Sequence, residues 1–262
     1  MSRRRADTVI AERGLTRSRA SAAMAIRAGR VRIGGGGQRI QKPSELIDPL
    51  AELSLAEGRD YVSRAGIKLA NALDRLAIEV KDRECLDVGA ATGGFTDCLL
   101  KRGATAVIAL DVAHGQLDWG IRNDARVHVI ERLNARDLRP EDLPYAPGLA
   151  TIDVSFIAIA KVLPAVVATL APDADLLAMV KPQFELGQRR VRGGVVRLAS
   201  ERREALLNVA RAAADLGLAI HGFASSELPG PKGNEETFLW CSKRGGGLDS
   251  DGVEAAAREV EP

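Results

Sequence analysis

The segment DVGAATGGF, Asp87 to Phe95, constrains this chain more than any other, because it joins the strand-like run ECLDVG to the apolar-periodic run GFTDCLLKR. A turn of small residues between a strand and a helix is the junction of a βα unit, and the chain beyond Tyr61 repeats that alternation. Strands are expected over 84–89, 106–112, 127–131, 149–154 and 176–180, and helices over 94–102, 156–170 and 201–216. Such alternation makes an α/β domain with a parallel sheet covered on both faces. The final strand-like runs, LAIHGFASSEL and ETFLWCSK, are separated only by PGPKGNE, which is too short for a crossover helix. The last strand is therefore expected to run antiparallel to its neighbour.

The turn itself narrows the ligand. A dinucleotide site would show G-x-G-x-x-G, and a nucleoside-triphosphate loop would end in Gly-Lys-Ser/Thr. Here Gly89 is followed by Gly93-Gly94 without a lysine, and Asp111 stands 17 residues after Gly94 at the end of the next strand. A carboxylate there accepts hydrogen bonds from both hydroxyls of a ribose. A nucleoside without phosphates fits this pattern best. The combination resembles the class I methyltransferases, with their Rossmann-like sheet and antiparallel last strand. That resemblance implies S-adenosylmethionine as cofactor, with Gly89, Ala90, Thr92, Gly93 and Gly94 near its methionine portion, Asp111 at the ribose and Asn134 by the adenine.

Four polar residues occupy places where bland ones would serve folding equally well. Lys68 lies beside the stripe Leu69, Leu73, Leu76; Asp153 closes the fourth strand, Lys181 closes the fifth, and Glu236 opens the last. Three of them fall on the loop-bearing edge of the sheet, where open α/β folds bind ligands. Taken singly, Lys68 and Glu236 also read as solvated charges and Asp153 as a helix cap. Lys, Asp, Lys and Glu in this order resemble the tetrad of FtsJ-like ribose 2′-O-methyltransferases, and GNEETF resembles the motif that carries its glutamate at Glu236. The resemblance implies that Lys181 orients the hydroxyl and helps deprotonate it. Which lysine is neutral stays open. The basic, glycine-rich stretch ELGQRRVRGGVVRLA, 185–199, reads as a loop over the substrate.

Charge is uneven along the chain. Residues 1–42 hold eleven Lys or Arg against Asp7 and Glu12, whereas 245–262 hold five acids against Arg258. The first segment is suited to a polyanion, and the second, lacking large apolar residues, reads as a disordered acidic tail. Short helices are expected over 6–12 and 18–28, with Ser18 capping the second. Val9, Ile10 and Leu15 would pack on Ala22, Ala23 and Ile26, and VRIGGGGQRI would form a hairpin. The pattern from Arg5 through Val31 to Lys42-Pro43 resembles the S-four RNA-binding domain, a small α+β module. Arg5, Arg17, Arg19, Arg27, Arg30 and Arg32 are its candidate phosphate contacts, since guanidinium forks pair with phosphate oxygens.

Other classes find little support. The apolar stretch 157–170 is broken by Lys161 and Pro164 and falls short of the roughly 18 to 20 residues of a membrane-spanning helix. No signal peptide is read, so a cytoplasmic protein without membrane partners is expected. Cys85, Cys98 and Cys241 are scattered and read as core residues, and His114, His128 and His221 lack metal-site spacing, so no metal is expected. No segment marks an obligate protein partner.

Residues 5–244 together resemble the TlyA family, in which an S-four domain precedes an FtsJ-like methyltransferase; DVGAATGGFTDCLL, DVAHGQLDW, KPQFELG and GGVVR carry the resemblance. It implies 2′-O-methylation of cytidine in ribosomal RNA of the small subunit or of both, with that RNA or a ribosomal subunit as partner. The expected organisation is an RNA-binding domain at 1–57, a linker at 58–64, a methyltransferase domain at 65–244 and the tail at 245–262. Because members of the family also carry haemolysin names, a membrane-active protein is one rival reading. An RNA-binding protein with an inactive methyltransferase domain is another.

Overall fold

The computed structural model describes residues 3–16, 18–27, 29–34, 38–55, 61–187 and 191–262, with the side chains of all but 24, 27 and 192. The chain divides into two units, Met1–Ile67 and Lys68–Pro262. The division falls within a helix rather than in the expected linker 58–64, because an unbroken helical pattern runs from Arg64 to Arg75; residues 56–60 lie outside the described residues.

In the first unit, β1 (Arg4–Arg5) leads into α1 (Ala6–Glu12), and α2 (Arg19–Arg27) is capped by Ser18, whose Oγ accepts the Ser21 amide at 3.1 Å. Strand β2 (Val31–Ile33) pairs antiparallel with β3 (Gln38–Arg39), as the hairpin requires. Two pairings have no local signal: β4 (Leu46–Ile47) joins β1, and β5 (Leu53–Leu55) joins the other edge of β2. Val9, Ile10, Ala22, Ala25, Ile26 and Val31 form the core, with Ile40, Ile47 and Leu53 closing it. Burial of the larger of these side chains stabilises the unit by roughly 1.5–3 kcal/mol each.

The second unit opens with the remainder of α3 (Arg64–Arg75), followed by β6 (Glu84–Val88), α4 (Gly94–Lys101), β7 (Ala106–Asp111), α5 (Trp119–Arg122), β8 (Val127–Glu131) and β9 (Leu149–Ile152). Then come α6 (Leu163–Thr169), β10 (Asp175–Val180), α7 (Pro182–Glu185), α8 (Ala199–Asp215), β11 (Ala219–Ser225), β12 (Thr237–Ser242) and α9 (Ser250–Val260). Seven strands form one sheet in the order β11-β12-β10-β9-β6-β7-β8. Strand β12 is inserted between β10 and β11 and is antiparallel to both, while β6 to β10 pair in parallel. The expected topology is thus observed.

The helix expected over 156–170 is shorter. A 3₁₀ turn covers Ile159–Lys161 and α6 starts at Leu163, with Pro164 in its first turn, where a missing N–H costs no hydrogen bond. The disordered tail is replaced by α9. Asp249 caps it by accepting the Gly252 amide at 2.8 Å, Ala257 is fully buried, and Val253 and Val260 pack on the core. Small alanines let this helix sit close to the sheet, so it needs none of the large apolar residues whose absence suggested disorder.

Candidate active site

The turn after β6 is built around Gly89 (φ +87°) and Gly93 (φ +89°), left-handed conformations that glycine adopts without strain. A Cβ on Gly93 would fall 2.8 Å from Leu117 Cδ1, so the backbone here is pressed against its surroundings. Four amides in this turn are already engaged. Gly89 and Ala90 donate to the Leu110 carbonyl, Gly93 donates to the Ala90 carbonyl, and Ala91 donates to Asp111 Oδ2 at 2.8 Å. With these four donors engaged, the turn offers close backbone approach rather than the cradle of free amides that a phosphate needs.

Asp111 also accepts the Ala113 amide through Oδ1 at 2.7 Å, which fixes its carboxylate at the mouth of a cleft lined by Ala90, Ala91, Gln116, Leu117 and Glu131. The Gly115 amide and the Arg122 guanidinium hold Glu131 below the usual carboxylate range. Asp111 and Glu131 face the cleft together, and their oxygens can accept ribose hydroxyls. Asn134 follows Leu133, whose amide donates to the Asp111 carbonyl, and its Oδ1 accepts the Arg136 amide at 3.1 Å. Its side-chain N–H groups remain for a ligand. Small residues and acceptors without a phosphate cradle fit S-adenosylmethionine.

The four polar residues are brought together as two pairs. Lys181 Nζ lies 2.5 Å from Asp153 Oδ1 and donates to Ser155 Oγ at 2.9 Å. Lys68 Nζ is paired with Glu236 Oε2, both side chains being more than nine-tenths buried. Val180 of β10 is registered opposite Thr237 of β12, so one step further along the antiparallel ladder Lys181 faces Glu236. Asp153 donates its amide to the Val88 carbonyl, which places it directly beside Gly89. Burial argues against the solvated readings of Lys68 and Glu236, since a buried charge without a partner is costly.

Sequence reasoning missed several neighbours. Phe156 is 91% exposed, has a left-handed backbone (φ +65°), and stacks on Phe184 with ring centroids 5.2 Å apart. Phe156 closely follows Asp153 and Ser155 in sequence and Phe184 closely follows Lys181, and only five phenylalanines occur in the chain. An exposed aromatic on a strained backbone contributes little to folding, and neither property can be read from the sequence. Asp87, fully buried, is pushed up to about 7 by burial, against hydrogen bonds from the Thr96 hydroxyl and amide. Burial likewise pushes Glu185 up to about 7, although its Oε1 accepts the Ile159 amide at 3.0 Å. The Cys85 and Cys241 thiols are driven up to about 12 by burial, in keeping with core residues.

In the first unit, Arg5 and Arg19 both hold the buried Asp7, at 2.7 and 3.2 Å, and bring its carboxyl down to about 2. Their side chains remain about half exposed, at 43% and 59%. Arg30 and Arg32 lie at the start of β2, half-buried. Arg17 and the side chain of Arg27 lie outside the described residues.

The sheet order with its inserted antiparallel strand, and the glycine turn facing an acidic strand end, define a class I methyltransferase. The family model for FtsJ-like methyltransferases matches residues 61–243. A relative in Mycobacterium tuberculosis H37Rv, the 16S/23S rRNA (cytidine-2′-O)-methyltransferase TlyA, is 47% identical over 99% of this chain and 98% of its own length. Hemolysin A of Brachyspira hyodysenteriae is 38% identical over 88% of this chain and 97% of its own. The solved structure of a hemolysin-named protein from Streptococcus thermophilus superposes with a TM-score of 0.76 at 36% identity, covering 99% and 96% of the two chains. The chain belongs to the FtsJ-like methyltransferases and, within them, to the TlyA family.

Proposed function

We propose that this protein methylates the 2′-hydroxyl of cytidine in ribosomal RNA of the small subunit, the large subunit or both. S-adenosylmethionine supplies the methyl group when bound against Gly89 to Gly94. The observation that carries the reading is Lys181, held by Asp153 and Ser155 and opposite Glu236 of the Lys68–Glu236 pair, with Asp153 beside the Gly89 turn. A ribose hydroxyl is a poor nucleophile near neutral pH, so catalysis consists largely of alignment and proton removal. Asp153 and Ser155 fix the direction of the Lys181 amine, which, once its own proton has passed to Asp153 or to solvent, holds the hydroxyl in line and takes up its proton. Lys68 and Glu236 neutralise one another and close the buried side of the site. The exposed ring of Phe156 offers a stacking face to the base of the target nucleotide, an interaction worth about 1–3 kcal/mol.

Asp111 and Glu131 are assigned to the cofactor ribose and Asn134 to the adenine edge. The first unit is assigned to RNA phosphates through Arg5, Arg17, Arg19, Arg27, Arg30 and Arg32. We infer a cytoplasmic enzyme from a substrate of this kind; no described helix is long and apolar enough to cross a membrane. Transfer of tritiated methyl groups to ribosomal RNA, followed by mapping of 2′-O-methyl sites with and without the gene, tests the reading. Methylated cytidines that vanish with the gene support it. Liposome leakage without methyl transfer would instead favour the activity that the haemolysin names suggest, and RNA binding without either would mean an inactive methyltransferase domain.

A further inference from the structure

Glu261 has no place in the reaction as derived so far, yet it is 3% exposed and both of its oxygens are committed. Oε2 lies 2.6 Å from Arg202 Nε, and Oε1 accepts the Thr237 hydroxyl at 3.0 Å. Arg202, on α8, reaches Glu235 Oε2 at 2.8 Å through Nη2 and donates to the Arg197 carbonyl at 2.9 Å through Nη1. A helix docked only by Val253, Ala257 and Val260 would need no buried carboxylate. These contacts grip residues 235 and 237, the two flanks of Glu236. In an extended segment alternate side chains point to opposite sides, so holding 235 and 237 on one side commits Glu236 to the other, towards Lys68. The backbone of Glu236 is fixed as well, because its carbonyl accepts the Ser226 amide at 3.0 Å. Gly230 leaves the room its carboxylate needs, since a Cβ there would lie 2.5 Å from Oε1.

We propose that Glu261, acting through Arg202 and Thr237, is a positioning residue of the methyltransferase: it sets the direction of Glu236 and thereby the place of the Lys68 ammonium. This rests on the tetrad reading above. Misplacement of a reacting group by about 1 Å can cost on the order of a hundredfold in rate. In the full-length protein, Glu261→Ala is expected to lower kcat by about tenfold to a hundredfold, leaving KM for RNA and calorimetric affinity for S-adenosylmethionine unchanged. Glu261→Gln, which keeps the acceptor for Thr237, should recover much of the loss. Val253→Ala loosens the same helix without touching Arg202 and should lower Tm alone. If Glu261→Ala lowers Tm but turns over at the wild-type kcat, Glu261 is only structural and the inference is overturned. Should that variant not fold, wild-type kcat in Thr237→Val overturns it, and a reduced kcat in Thr237→Val supports it. Glu236→Gln separates the two levels. An inert Glu236→Gln beside a fully active Glu261→Ala refutes this inference alone, whereas a fully active Glu236→Gln refutes the tetrad reading and this inference with it.

Discussion

A Cβ built on Gly89 would overlap the main-chain carbonyl oxygen of Asp153, so the glycine turn and the strand end that carries Asp153 touch through backbone alone. Gly89→Ala should therefore act on both at once. The left-handed backbone costs about 1–3 kcal/mol for a non-glycine residue, and the steric overlap adds to it by pushing residue 153 away. Denaturant unfolding should show the loss of stability, and calorimetry should show loss of S-adenosylmethionine binding.

Lys181→Ala should be folded, bind cofactor and be inert. Removal of a positioned proton acceptor costs about 10² to 10⁴ in rate, while the glycine turn and the N-terminal arginines are untouched. Single-turnover methyl transfer at close to the wild-type rate would reduce Lys181 to an ordinary strand end.

Asp111 serves two ends, because its carboxylate also pins the Ala91 and Ala113 amides. Asp111→Asn keeps an acceptor for one of these amides but loses the charge, and should weaken S-adenosylmethionine by about 1.5–3 kcal/mol. RNA affinity measured by filter binding should not change.

The buried Glu185 gives a pH dependence with a definite sign. Its carboxyl ionises at 4.5 ordinarily and at about 7 in the fold, so the folded state holds the proton more tightly. Its contribution to stability is greatest below pH 4.5, falls as pH rises towards 7, and is level above that. Asp87 adds a slope of the same sign. Glu185→Gln retains an acceptor for the Ile159 amide, and should flatten the decline and be more stable than wild type at pH 8. Urea unfolding at pH 5 and pH 8 checks this.

Replacing Arg30 and Arg32 together by alanine should weaken RNA binding more at low salt than at high salt. For every phosphate that is no longer neutralised, the slope of log K against log salt becomes shallower by about 0.7 to 0.9. An unchanged slope would remove these residues from the RNA interface.

The sheet was legible because β-strand runs and the glycine turn are local signals. The antiparallel β12 followed from a connection too short to cross over. The tetrad was legible by position at strand ends and by resemblance, but nothing in the sequence near Lys68 announces Glu236, and their pairing is a product of tertiary folding. Phe156 was hidden inside an expected helix, where Pro164 in fact marks the first turn. The acidic tail folds because Asp249 caps it and its alanine face packs closely, local features that composition averages away. Arg5 and Arg19 read as free charge, although Asp7 sits within one turn of α1 to claim both.

The insertion of β12 between β10 and β11 has a consequence for the timing of biosynthesis. Lys68 is made early and waits 168 residues for its partner, and β10 cannot gain its second neighbour until the strand ending at Ser242 has been translated. A growing polypeptide therefore carries the glycine turn, Asp153 and Lys181 well before it can assemble the four-residue centre. Closure of the four-residue arrangement is therefore a late event of synthesis, set by the insertion of β12 and not by the order in which its first three members are made.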